Sequence, residues 1–395
     1  MLRRCHCSSV LNKASLSSGS FTMDTKRINF LMYSTLRTGG TRTILQYANE
    51  LQKLGHEVSL TTLFYDDWFP LNRDIKVISK LTRFQLYFFF GKAEIYNKLG
   101  RTNLSSTVSL LKKLYTLTPK SDVNVATFFP TSYVASWKAS EAVPFYILMH
   151  MPGLFTKDPI EHAFYENTLS LPIYKIVNST WLQKRVKEKY GITYPMVNTG
   201  AVNHAIFKDR RGFFPNDNDK IINIVALGKG GFKNANSIFD AVELVRKLHK
   251  EKSIRLHFFG RFVPKGIFID NKLTFFHKNL SDENLARLYS SSQIQITFSD
   301  AESFPLPPLE AMASGCAVIT TPYGTEDYAI DGLNSLIVES NNKEMLVEKI
   351  NTLVDDNDLR LKLINEGFLT VRKFSFEDQS RQIVKQIDAA IQKTG

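Results

Sequence analysis

Gln293–Gly324, QIQITFSDAESFPLPPLEAMASGCAVITTPYG, decides how the chain folds. Ile294, Ile296 and Phe298 alternate with polar residues, the period of a strand. The polar break Ser299–Ser303 carries Glu302. Pro305, Pro307 and Pro308 follow, suited by fixed φ and the missing N–H to the first turn of a helix over LEAMAS. Gly315 ends that helix, and Ala317–Thr321 is the next buried strand. The unit is β–loop–α–β, with two carboxylates at its strand-to-helix corner: Glu302 in the loop and Glu310 in the helix, seven residues between them. In parallel α/β sheets ligands bind outside the carboxyl ends of strands, where this corner lies.

The same grammar recurs upstream. Ile221–Leu227 is a continuous apolar run of the buried parallel type and leads into Gly228-Lys229-Gly230-Gly231-Phe232-Lys233-Asn234 and the helix SIFDAVELVRKLHK. Strand, glycine turn and helix with two lysines suit a phosphate, through main-chain N–H groups, a helix N-terminus and two ammonium charges. The Walker A spacing is absent. Arg255–Phe259 and Leu273–Phe276 are further strands, and Ser281 caps the helix that delivers the chain to Gln293. Asp356-x-Asp358 reads as the cap of LRLKLINEG.

The first half opens with the strand Ile28–Tyr33, a loop carrying Gly39-Gly40, the helix TRTILQYANELQKLG and the strand Val58–Leu63. This is a Rossmann-like start without the G-x-G-x-x-G fingerprint. Val123–Phe128, Phe145–Met149 and Tyr174–Asn178 are expected strands, and His150 ends the second, where an imidazole can reach a cleft and donate to a sugar hydroxyl or phosphate. Asp66-Asp67 reads as a solvated loop pair.

At 395 residues the chain predicts two domains. Three cysteines exclude a disulfide scaffold and favour a reducing, cytoplasmic setting; Cys5-His6-Cys7 lacks the second ligand pair of a zinc site. Of the net charge of +12, residues 81–120 supply +6 (seven Lys or Arg, one Glu) and residues 1–23 supply +3, leaving +3 for the rest (12 − 6 − 3). No motif turns that excess into a nucleic-acid site, so no nucleic-acid partner is expected. The aromatic and basic stretch 83–120 reads instead as a peripheral membrane contact at the inner face, or else as apolar residues packing inward. No apolar run reaches 18 residues, so no spanning helix is expected.

Glu302-x7-Glu310, running into EAMASGCAVI and GTEDYAIDGLNSLIV, resembles the Glu-x7-Glu signature of retaining glycosyltransferases of family 4. The resemblance implies a GT-B fold, α/β with two Rossmann-like parallel-sheet domains facing across a cleft. Residues 1–23, Ser-rich and acid-free, read as a disordered or presequence-like segment or an upstream start, and the polar, turn-rich 211–220 as a linker; the resemblance makes 24–210 an N-terminal acceptor domain, 221–375 a C-terminal nucleotide-sugar domain and 376–395 a helix crossing back. It implies that Lys229, Lys233, Gly39 and Gly40 meet the donor diphosphate and that His150 serves catalysis in the cleft; Glu310 can accept the ribose hydroxyls and Glu302 the sugar hydroxyls at the reacting ring, and because Pro305 removes one N–H, the Leu306 N–H is expected to meet the diphosphate. Lys229 stands where the family more often has Arg, Asn203 where it has Asp, and Ser303 and Pro305 flank Phe304 where it has glycines.

The expected function is retaining, metal-independent transfer of a hexose from a nucleotide sugar to a polysaccharide or lipid-linked acceptor, with no cofactor. A non-catalytic binding or scaffold protein of the same fold and a nucleotide-sugar epimerase are the alternatives. A two-carboxylate glycosidase has no role for the Gly-Lys turn.

Overall fold

The computed structural model describes residues 24–82, 85, 104–151, 159–210 and 220–394. The segments 1–23 and 211–219, and most of the stretch expected to touch membrane, lie outside the described residues.

The apolar runs become two parallel six-stranded sheets. In the first, β1 (Arg27–Ser34), β2 (Glu57–Phe64), β3 (Lys76–Ile78), β4 (Val123–Ala126), β5 (Val143–Leu148) and β6 (Tyr174–Val177) lie in the order β3-β2-β1-β4-β5-β6. In the second, β7 (Ile221–Leu227), β8 (Ser253–Gly260), β9 (Thr274–Lys278), β10 (Ile294–Ile296), β11 (Ala317–Thr320) and β12 (Leu336–Ile337) lie in the order β12-β11-β10-β7-β8-β9. Viewed from the opposite edge, the second order repeats the first. Strand order reverses between β1 and β4 in one sheet and between β7 and β10 in the other, and such a reversal opens a crevice at the strands' carboxyl ends.

Helices cover both faces of each sheet, as parallel strands buried on two sides require. The final helix, Phe376–Thr394, packs against the first sheet rather than the second: Ile383, Val384, Ile387 and Ala390 are buried with Phe30, Val125 and Phe145.

Local chemistry sets the element ends. Gly315 closes the helix Leu306–Ser314 with φ +93°, a left-handed conformation that a side chain disfavours. Asp356 caps Asn357–Val371, its Oδ1 accepting from Leu359 N at 2.8 Å. Two expectations shift. Gly39 and Gly40 are not in a loop but open the helix Gly39–Lys53, because the Thr38 side chain caps it by accepting from Thr41 N. The strand from Val123 stops at Ala126, since Phe128 already starts the helix Phe129–Trp137 with its N–H on Thr131 Oγ1.

Candidate active site

The two reversal points face each other, and the charged residues singled out from sequence gather at the second. Lys229 and Lys233 follow β7 and Glu302 follows β10, its neighbour in the sheet. Between the lysines the chain makes one 3-10 turn, Gly231–Lys233, and Asn234 is left-handed (φ 53°), held by its Nδ2 on Phe298 O at 3.0 Å and on Asp300 Oδ1 at 2.6 Å. Both ammonium groups lie over the Phe232 ring, Lys229 at 5.4 Å and Lys233 at 5.1 Å from its centroid. Lys229 is exposed. Lys233 is mostly covered and contacts Glu302 Oε1, which also accepts from Ser299 Oγ at 3.1 Å. Burial, then the Lys229 charge, pushes the Lys233 ammonium down to about 7. The Glu302 carboxylate works against that fall.

The Glu302 loop is gripped from several sides. Ser303 Oγ donates to Met149 O and accepts from Asn178 Nδ2 at 3.2 Å, both across the cleft. Tyr328 Oη donates to Pro305 O at 2.8 Å, and the Phe304 ring fills the space that Gly200 leaves, where a Cβ would stand 1.9 Å from it. Behind the loop Gly324 (φ +73°) lies so close that a Cβ would be 2.5 Å from Glu302 O. Leu306 is the first residue of its helix after the N-cap Pro305; because Pro307 and Pro308 follow, Leu306 carries the one N–H among the positions that lack an intrahelical acceptor.

Glu310 sits apart from Glu302. It is 3% exposed, its Oε1 contacts Arg42 Nη2, and Arg42 Nη1 lies 2.9 Å from Asp282 Oδ1. Burial raises the Glu310 carboxyl from its ordinary value, and the Arg42 guanidinium pulls it back. For Arg42, burial opposes the charge but the two carboxylates outweigh it, and its pKa is raised. Arg42 and Asp282 were not read from sequence as site residues. The signal was present: an arginine in the early turns of a helix with no acid in its first turn sits at the wrong end of the dipole and calls for an outside partner.

His150 lies across the cleft, next to the Met149 carbonyl that Ser303 touches. Its ring packs on Phe128 at 5.4 Å and edge-on to Tyr165 at 5.2 Å, and burial pushes it down to about 4, so it is neutral at pH 7. Gly39 and Gly40 are exposed, with nothing within 4 Å of where a Cβ would stand. The structure thus brings Lys233 and Glu302 together in one pocket with Pro307 of the helix start, and sets Lys229 on the same Phe232 ring as Lys233. Glu310 joins a second cluster, and Gly39 and Gly40 touch neither. Among the described residues no group of three or more His, Cys, Asp or Glu is placed to hold a metal ion, and no helix is long and apolar enough to cross a membrane.

Residues 207–369 match the family model for glycosyl transferases group 1. Over 111 residues the chain is 27% identical to a D-inositol 3-phosphate glycosyltransferase of Corynebacterium urealyticum, covering 28% of this chain and 26% of that protein. Over 98 residues it is 34% identical to an uncharacterized glycosyltransferase of Methanocaldococcus jannaschii, covering 25% and 28%. The chain thus spans about a quarter of the length of these relatives. Sucrose-phosphate synthase from Thermosynechococcus elongatus superposes with TM-score 0.70 at 15% identity, over 92% of this chain and all of that one. HepE of Anabaena, solved with UDP-glucose, gives 0.67 at 13%, again over 92% and all. These structures share the fold. Residues 207–369 therefore resemble a group 1 glycosyl transferase domain, and the two parallel sheets have the GT-B fold.

Proposed function

We propose that the protein is a retaining hexosyltransferase that takes its sugar from a nucleotide sugar, needs no metal, and delivers to a glycan or lipid-linked acceptor at the cytoplasmic face of a membrane. The observation that carries this reading is the meeting of Lys229, Lys233 and Glu302 where the strand order of the second sheet reverses. In transfer, the bond from the anomeric carbon to the diphosphate breaks, the acceptor oxygen bonds to that carbon, and negative charge grows on the departing phosphate. Two ammonium groups and the Leu306 N–H would meet that charge, which is the electrostatic part of catalysis. The diphosphate would draw Lys233 away from Glu302 and free that carboxylate to accept sugar hydroxyls. Glu310 would accept the ribose hydroxyls. Neutral His150, facing from the first sheet, has both a donor and an acceptor nitrogen for a sugar hydroxyl.

The test is a panel of nucleotide sugars assayed for nucleotide release, beginning with UDP-glucose, the ligand solved with HepE. Release that disappears in Lys233→Ala and Glu310→Gln supports the reading; isomerised sugar without release, or release that both variants retain, overturns it. A non-catalytic binder is favoured by one observation, that both Glu302 and Glu310 already carry a cation. Tight binding with no turnover across the panel would decide for it.

A further inference from the structure

Two arginines of the first half, five positions apart, close on the second half from one helix start. Arg37 donates from Nη1 to Asn279 O at 3.2 Å and from Nη2 to Leu280 O, with its guanidinium 5.1 Å from the Trp68 ring centroid. Arg42 spans the carboxylates of Asp282 and Glu310, its guanidinium 5.7 Å from the Phe207 ring centroid. Between the two stand Thr38 and the glycine pair that opens the helix Gly39–Lys53. The segment Asn279–Asp282 and the helix bearing Glu310 are thus held from across the cleft by charge and hydrogen bonds, beside the apolar packing of Phe207 with Leu285, Tyr289 and Leu309. The pocket left beside Glu310, walled by Arg42, Phe207, Asp282 and Phe376, has room for roughly one water molecule. A ribose reaches the Glu310 carboxylate only if the Arg42 guanidinium withdraws.

We propose that Arg37 and Arg42 form a clamp that holds the donor-free protein shut over Glu310, and that a donor ribose takes the place of Arg42 on that carboxylate. This rests on the donor reading of Glu310 given above. One guanidinium serves two carboxylates, so its departure leaves two like charges that water or ribose hydroxyls must solvate, and the clamp therefore opposes opening. Only the opened fraction binds nucleotide, and the apparent affinity is reduced by that fraction. Arg42 acts here as a gating residue; it is the donor's competitor and not its ligand.

Arg42→Met keeps the apolar stem against Phe207 and removes the charge, while Arg42→Lys keeps a charge. Two readouts are taken: the radius of gyration by small-angle X-ray scattering without nucleotide, and calorimetric dissociation constants for UDP, GDP and ADP. Arg42→Met is expected to have the larger radius and to bind the preferred nucleotide about fivefold or more tightly than wild type, the lower end of ordinary coupling between sites. Arg42→Lys is expected to lie between the two. Weaker binding in Arg42→Met makes Arg42 a donor ligand and overturns the proposal, as does a variant with unchanged radius and affinity. Should Arg42→Met fail to fold, Asp282→Asn loosens the clamp from the other half and is read in the same way. If wild type binds none of the three nucleotides, the donor reading fails and the competition with it, while the scattering still decides whether the clamp closes the cleft.

Discussion

Gly324 and Gly332 form a matched pair for measuring what the Glu302 loop requires. Both are left-handed, at φ +73° and +68°. A Cβ on Gly332 meets nothing within 4 Å, whereas one on Gly324 lies 2.5 Å from Glu302 O, 2.7 Å from Ser303 C and 2.8 Å from Ser303 O. Alanine at Gly332 therefore pays only for its backbone conformation, about 1–2 kcal/mol. Alanine at Gly324 adds a collision with main chain that no side-chain rotation relieves. To restore a 3.4 Å contact the Glu302–Ser303 peptide must retreat by about 0.9 Å (3.4 − 2.5). It has little room, being tied to Met149 O through Ser303 and to Tyr328 through Pro305 O. A total of about 3 kcal/mol is expected, together with a shift of Glu302 near the 1 Å at which a misplaced group loses on the order of 100-fold in rate. Urea unfolding gives the first quantity and turnover of the best nucleotide sugar the second. Gly332→Ala should lose about 1–2 kcal/mol with kcat unchanged, and Gly324→Ala about 3 kcal/mol or more with kcat down about 100-fold. Equal losses of stability in both variants, with kcat within about twofold of wild type, would refute the claim that Gly324 backs the Glu302 loop.

Two further outcomes follow from burial. Lys233 is pushed down to about 7 by its surroundings; it holds its charge below that pH, and above it the native state gains stability toward the ordinary lysine range, because the unfolded chain still binds the proton. A diphosphate needs the charged form, so nucleotide binding above that pH should take up protons and weaken as the pH rises, by up to about tenfold per pH unit. Calorimetry in two buffers of different ionisation heat measures this, and no uptake by wild type counts against a lysine–phosphate contact. Ile387, fully buried from the last helix into the core of the first sheet, should lose about 2–5 kcal/mol as Ile387→Ala in urea unfolding; a loss under about 1 kcal/mol would mean that the crossing helix adds little.

The parts of this molecule written in local sequence were readable from it. The β–loop–α–β unit around Glu302, the left-handed end at Gly315, the caps at Ser281 and Asp356, and β7 running into its lysine turn all depend on neighbours a few residues away. The Glu302–Lys233 contact was half legible, since each residue stood out by itself and their pairing needed the β7–β10 adjacency. Arg42's place at the helix start called for a partner, but which partner was not legible, because Asp282 and Glu310 lie 240 and 268 residues away and no periodicity carries that distance. Two helices of the first sheet, Phe129–Trp137 and Pro159–Ser170, also escaped: each is weakly amphipathic, packed among aromatic side chains rather than showing one apolar stripe. The glycine pair at 39–40 was misplaced into a loop because the Thr38 cap outweighs the poor helix propensity of glycine.

The central claim is that Lys229, Lys233 and Glu310 form one donor site. A crystal structure with an unreactive nucleotide-sugar analogue tests it most directly. The account predicts both lysine Nζ atoms and the Leu306 N–H within hydrogen-bonding distance of the diphosphate, Glu310 on the ribose hydroxyls, and Arg42 withdrawn from Glu310. A diphosphate bound with neither lysine near it, or a ribose bound away from Glu310, would contradict it.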